Sequence, residues 1–124
     1  MTVPALPYSF VDGGFASAIL GPRKEVTLEL VVWSRANPEG FTVYIRFGGI
    51  SNYEEVQGYI KRIPPPPFED ALYRIEYLDY DAQEMSHAHE LFFKLELEYC
   101  GAVTINCRSV SVREAKQPEF IRLS

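Results

Sequence analysis

Cysteine, histidine and tryptophan are scarce in this chain: 124 residues contain two Cys, two His and one Trp. Cys100 and Cys107 flank a segment that reads as one strand, which places their Cα atoms roughly 23 Å apart at about 3.3 Å per residue. A disulfide needs less than about 7 Å. Two unpaired thiols fit a reducing compartment, so the expected location is the cytoplasm. Also missing is any apolar run near the ~18 residues of a membrane span, and residues 1–10 lack the basic start and apolar centre of a signal peptide. Basic residues are in deficit, 12 Lys and Arg against 17 Asp and Glu, for a net charge of −5. A net negative surface repels phosphate backbones, which argues against nucleic-acid binding and leaves no membrane role indicated. No serine sits in a Gly-x-Ser-x-Gly elbow, and no glycine-rich loop has phosphate-cradle spacing. Cys107 falls on the expected buried face, where an unreactive core thiol is the usual outcome. No cofactor is indicated, and the expectation is a protein that is not an enzyme.

What is present is an ordinary globular composition, 47% hydrophobic and 14% aromatic. A chain of this length forms one domain, here residues 1–124, and buries roughly two-thirds of its unfolded surface without metal or disulfide. The dominant hydrophobic period is two. Val26, Leu28, Leu30 and Val32 alternate with Thr27, Glu29, Val31 and Trp33, and Phe41, Val43, Ile45 and Phe47 alternate with Thr42, Tyr44 and Arg46. Asn37, Pro38 and Gly40 between these runs are type I turn residues, so the pair reads as an antiparallel hairpin. A second hairpin has Leu91, Phe93, Leu95, Leu97 and Tyr99 on one face, turns at Cys100 and Gly101, and returns through Val103, Ile105 and Cys107. The apolar parity then shifts to Val110 and Val112, which predicts a β-bulge near Arg108 and Ser109. Residues 15–20 and 72–78 are further strand candidates.

One segment departs from this period. Ser51 and Glu54 have capping-box spacing, and Tyr53, Val56, Ile60 and Ile63 follow at helical spacing. Gly58 weakens the segment by about 1 kcal/mol, and the prolines at 64–67 end it. The spacing predicts one short helix over about residues 52–62, followed by a stiff connector. The expected fold is therefore mainly β: an antiparallel β-sandwich or open barrel whose helix plugs an open end.

Two constellations carry functional chemistry. Between residues 69 and 98 there are nine acidic residues and two basic ones, Arg74 and Lys94, a net of −7. Tyrosines interleave with the acids, and tyrosine offers contact area with a polar tip while acidic fields steer basic partners. Tyr73, Glu76, Tyr77, Asp79, Tyr80 and Asp81 are the expected binding residues for a cationic protein partner. The bland counterpart is a solvated sheet face whose acids keep the protein soluble. The second constellation is His87 and His89, two apart in an extended segment, so that both imidazoles point the same way. With Asp79, Asp81 or Glu84 as a third ligand they form the alternative, a metal or small-ligand site in a β-barrel; their bland reading is a solvated loop. A homo-oligomer through an exposed sheet edge is a further option.

The run Val43-Tyr44-Ile45-Arg46-Phe47-Gly48-Gly49-Ile50 and the closing Val103-Thr104-Ile105-Asn106-Cys107-Arg108-Ser109-Val110-Ser111-Val112 resemble small all-β bacterial proteins of unknown function. Some of these are grouped with the immunity proteins of polymorphic toxin systems. The resemblance implies a single-domain cytosolic binder that neutralises a toxin, with no catalytic residues to carry over. Residue pattern and resemblance together lead to a non-enzymatic protein-binding module with an acidic, tyrosine-bearing sheet surface.

Overall fold

The computed structural model describes residues 9–33, 38–64, 72–80 and 91–115, with Tyr80 described by its backbone. Seven strands and one helix follow one another: β1 (Gly14–Gly21), β2 (Glu25–Val32), β3 (Phe41–Gly48), α1 (Tyr53–Lys61), β4 (Tyr73–Tyr80), β5 (Leu91–Leu97), β6 (Gly101–Cys107) and β7 (Ser109–Ala115). All pairings are antiparallel, in the order β6-β5-β4-β1-β2-β3-β7. The fold is thus mainly β with one helix, as the period-two pattern requires. Both expected hairpins are present, Val26 facing Phe47 in one and Leu91 facing Cys107 in the other.

Alternation decides which face is inside. Val26, Leu28, Leu30 and Val32 of β2 are 0–5% exposed, while the residues between them are half-exposed. Val43, Ile45 and Phe47 of β3, Phe93, Leu95 and Leu97 of β5, and Val103, Ile105 and Cys107 of β6 join the same core. Each such side chain contributes on the order of 1.5–3 kcal/mol by leaving water. The rings of Phe47 and Phe93 meet edge to face, centroids 5.2 Å apart. Three strands separate β3 from β5 in the sheet, so this contact exists only because the sheet folds over onto itself. The result is an open sandwich: β6 and β7 end the order and are not paired with each other, so no barrel closes.

The corner of this fold lies between β1 and β4, joined by only two register pairs, Gly14 with Arg74 and Phe15 with Tyr73. The other crossing is covalent. After Cys107 the chain leaves β5 and runs as β7 along β3, and Arg108 N–H donates to Gly48 O at 2.9 Å. The parity shift expected to mark a bulge at Arg108 and Ser109 is therefore a change of sheet partner. The bulges lie elsewhere, between Phe15 and Ser17 in β1 and between Ile75 and Tyr77 in β4.

Helix α1 covers one end of the sandwich with Val56 and Tyr59 buried. Its N-cap is Asn52, and neither Ser51 nor Asn52 makes the expected side-chain cap. The Asn52 side chain reaches β6 instead: Nδ2 donates to Thr104 O at 2.7 Å, and Oδ1 accepts from Asn106 N–H at 2.9 Å. Tyr59 OH donates to Gly101 O at 2.7 Å and accepts from Leu97 N–H at 3.3 Å. Burial, above all, pushes the Tyr59 hydroxyl up from 10.0 to about 12. Cys100 and Glu96 add to the rise, while the Leu97 N–H and Arg62 oppose it.

A folded-state pKa above the unfolded one stabilises the fold fully below pH 10.0 and loses that contribution as pH climbs toward about 12. The wild type is expected to lose stability over that window, whereas Tyr59→Phe lacks this part of the alkaline loss. At neutral pH Tyr59→Phe costs about 1–3 kcal/mol, because it strands the buried Leu97 N–H and removes the part-buried bond to Gly101 O. Urea titrations of both proteins at pH 7 and pH 10.5 check this; parallel pH dependence would rule out Tyr59 as the titrating group.

Candidate protein-docking face

The outer face of β4 and β5 is built around one irregularity. Ile75 and Leu78 are both inside, 0% and 3% exposed, although they are three residues apart and a regular strand turns only every second residue inward. The bulge at Glu76 supplies the extra residue. It leaves Glu76 half-exposed beside exposed Tyr77, with Tyr77 opposite Glu96 and Asp79 opposite Lys94.

Charge on this face is partly satisfied within the molecule. The Arg74 guanidinium lies 3.2 Å from Asp12, 3.2 Å from Glu76 and 3.7 Å from Glu98. Lys94 Nζ is 3.8 Å from Glu96 and 5.6 Å from the centre of the Tyr77 ring. Asp12, Glu76, Asp79, Glu96 and Glu98 against Arg74 and Lys94 leave a net of −3 among the described residues. These pairs are solvated, so each contributes under about 1 kcal/mol, and the surplus negative field persists.

The expected binding residues divide. Glu76, Tyr77 and Asp79 share this face. Tyr73 does not: its ring packs against the core and its hydroxyl donates to Pro64 O at 2.8 Å, toward the end of α1. The Tyr80 backbone pairs with Phe93 in β5, and Asp81, His87 and His89 lie outside the described residues. Among the described residues no three His, Cys, Asp or Glu group as metal ligands. Among them, too, no helix is long and apolar enough to cross a membrane.

Two features escaped the sequence. Four residues in register cross the outer face of β1, β2, β3 and β7: Ser17, Glu29, Tyr44 and Arg113. Ser17 Oγ and Tyr44 OH each donate to one Glu29 carboxylate oxygen, at 2.9 and 3.1 Å, and Arg113 lies 4.8 Å over the Tyr44 ring. Burial, then the hydrogen bond and charge of Glu29, raise the Tyr44 pKa against the pull of Arg113. With Arg46 bonded to Glu25 at 2.9 Å, this face balances its own charges. The other feature is Tyr99. It was expected on the apolar face of the second hairpin, but β5 ends at Leu97 and Tyr99 sits in the turn, 93% exposed with φ +64. Cys100 N–H donates to Leu97 O at 3.0 Å, which closes a turn after Leu97 and takes Tyr99 out of the strand's alternation.

Compared with known proteins, the chain matches no family model, no curated protein and no solved structure.

A tyrosine in the left-handed region carries a steric cost of about 1–2 kcal/mol that glycine avoids, partly offset by the greater unfolded-state entropy of glycine. Tyr99→Gly is therefore expected to raise stability by up to about 1 kcal/mol. Chemical denaturation measures this, and a clear loss of stability would mean that the ring supports the fold.

Proposed function

We propose that this protein is a non-enzymatic binding module whose outer β4–β5 face docks a cationic protein partner. The observation that carries the reading is the surplus of acids on a sheet face that also exposes Tyr77, with both of its basic residues already engaged internally. Such a face draws in a basic surface by long-range attraction and offers an aromatic ring for close contact. The opposite sheet, where Glu25, Glu29, Arg46 and Arg113 compensate one another, has no comparable field. The resemblance to immunity proteins of polymorphic toxin systems supports a bacterial, cytoplasmic setting and a basic toxin as the partner. A rigid sheet face preorganised before encounter suits that role, since little ordering entropy is lost on binding.

The test is affinity capture from the source cells at low and high salt, with wild type, Tyr77→Ala, Glu96→Lys and the opposite-face control Arg46→Glu as baits. A basic partner is expected that wild type and Arg46→Glu retain at low salt. Raising the salt releases it, and the two β4–β5 variants hold it at least about tenfold less. Retention that ignores both salt and the β4–β5 substitutions would overturn the reading.

A further inference from the structure

We propose that the open edge of β1 is the contact through which two copies of this chain pair, strand against strand, into a two-fold dimer. The two ends of the sheet order are treated differently. The outer edge of β6 is covered: Ser51 N–H donates to Asn106 O at 2.8 Å, Asn52 bonds Thr104 and Asn106, and Tyr59 bonds Gly101. The β7 edge carries Arg113 and Glu114, and charged residues of this kind discourage edge-to-edge association. In β1, strand β4 departs after Phe15, and from Ala16 to Gly21 no described strand lies on the side away from β2. That stretch, Ala-Ser-Ala-Ile-Leu-Gly, has neither charge nor proline.

A second copy fits this edge in one register. Ser17 and Ile19 point outward and Ala18 and Leu20 inward, as the Ser17–Glu29 bond and the core packing of Ala18 and Leu20 show. A two-fold axis normal to the sheet keeps faces together, so residues of like parity must oppose each other. With Gly14 and Phe15 taken by β4, the register that uses residues 17–21 sets Ile19 against its own counterpart and Ala18 against Leu20. Ile19 is the most exposed aliphatic side chain among the described residues, at 59%, and this pairing covers it. On the inner side, Leu20 of the second copy meets a groove of 220 Å³ lined by Phe15, Ala18, Ile60, Ile63 and Tyr73, where the small Ala18 leaves room. The charges agree as well. Beyond Gly21 the basic tip Arg23-Lys24 runs antiparallel toward the β1–β4 corner of the other copy, where Asp12, Glu76 and Glu98 outnumber Arg74.

This proposal shares Asp12, Glu76 and Glu98 with the acidic β4–β5 face, but its tests read protomer mass and cross-linking at Ile19, not capture of a basic partner. Sedimentation equilibrium of the full chain is expected to give twice the 14.2 kDa protomer mass. Ile19→Lys, which sets two like charges opposite each other at the axis, is expected to give the protomer mass with an unchanged circular dichroism spectrum. Because Ile19 is exposed in the protomer, the substitution leaves the core untouched. Under mild oxidation Ile19→Cys is expected to form a chain-to-chain disulfide on a non-reducing gel, while Thr27→Cys, one strand further in, and wild type with its native thiols do not. A wild type that stays at protomer mass up to its solubility limit overturns the proposal. So does a dimer that survives Ile19→Lys, or one that Ile19→Cys fails to cross-link.

Discussion

Phe47 and Phe93 touch although three strands lie between theirs in the ladder, and everything else in this molecule is arranged around making that contact possible. A seven-stranded antiparallel sheet with one apolar face has to hide that face, and with a single nine-residue helix among the described residues it does so by folding over. The fold-over is hinged at two places. At β1–β4 the hydrogen-bonded ladder shrinks to two residue pairs, which lets the strands splay. At Arg108 the chain bends and changes partner from β5 to β3, so one covalent run ties the two ends of the sheet order together. Glycine is needed at the first hinge: a Cβ on Gly13 would lie 2.8 Å from Val31 O and 3.0 Å from Phe10 O.

Folding over without closing creates edges, and the edges are where this sequence makes its choices. Helix α1 contributes Val56 and Tyr59 to the core and also covers the β6 edge, whose carbonyls and N–H groups are met by Ser51, Asn52 and Tyr59. Asn52 is the clearest case. A helix N-cap residue ordinarily turns its side chain back to its own first turn, yet here the amide completes a two-bond bridge to another strand. The energy that a cap would supply to α1 is used to dock α1 as a unit.

Much of this was legible in the residues, and the limits have physical causes. Hairpins and helix were readable because period two and period 3.6 are local, and residues 25–48 and 91–107 keep strict alternation with turn residues between them. Where alternation failed, sequence alone could not say why. The parity shift after Cys107 has the same pattern whether a strand bulges or changes sheets, since both insert one residue. In β4 the three-residue spacing of Ile75 and Leu78 went unread, although it is what the bulge that sets Glu76 beside Tyr77 leaves in the sequence. Of the expected contact residues, Tyr73 was misplaced because a half-buried tyrosine and an exposed one read alike until the helix end beside it is known. The row from Ser17 to Arg113 was illegible for a further reason: it joins four strands, and register between strands is not encoded in any one of them.

The two outer faces divide the charge of the molecule in a way that matters for association. On β1, β2, β3 and β7 each carboxylate already has a donor, so approach by a charged partner would break bonds before making any. On β4 and β5 five acids share the two cations Arg74 and Lys94, so a surplus negative charge remains to draw in a basic partner. Edge pairing through β1 would extend the balanced face across a two-fold axis, bring each Arg23-Lys24 tip to the Asp12, Glu76 and Glu98 end of the other copy's acidic face, and leave Tyr77, Asp79 and Glu96 of both copies uncovered. A partner with two basic patches, or two copies of a partner with one, would then meet a bivalent surface. The second contact forms at an effective concentration fixed by the dimer geometry, so even modest affinity per face gives durable binding. Strand-edge pairing at Ile19 and close contact at Tyr77 therefore use different residues of the same sheet and reinforce each other.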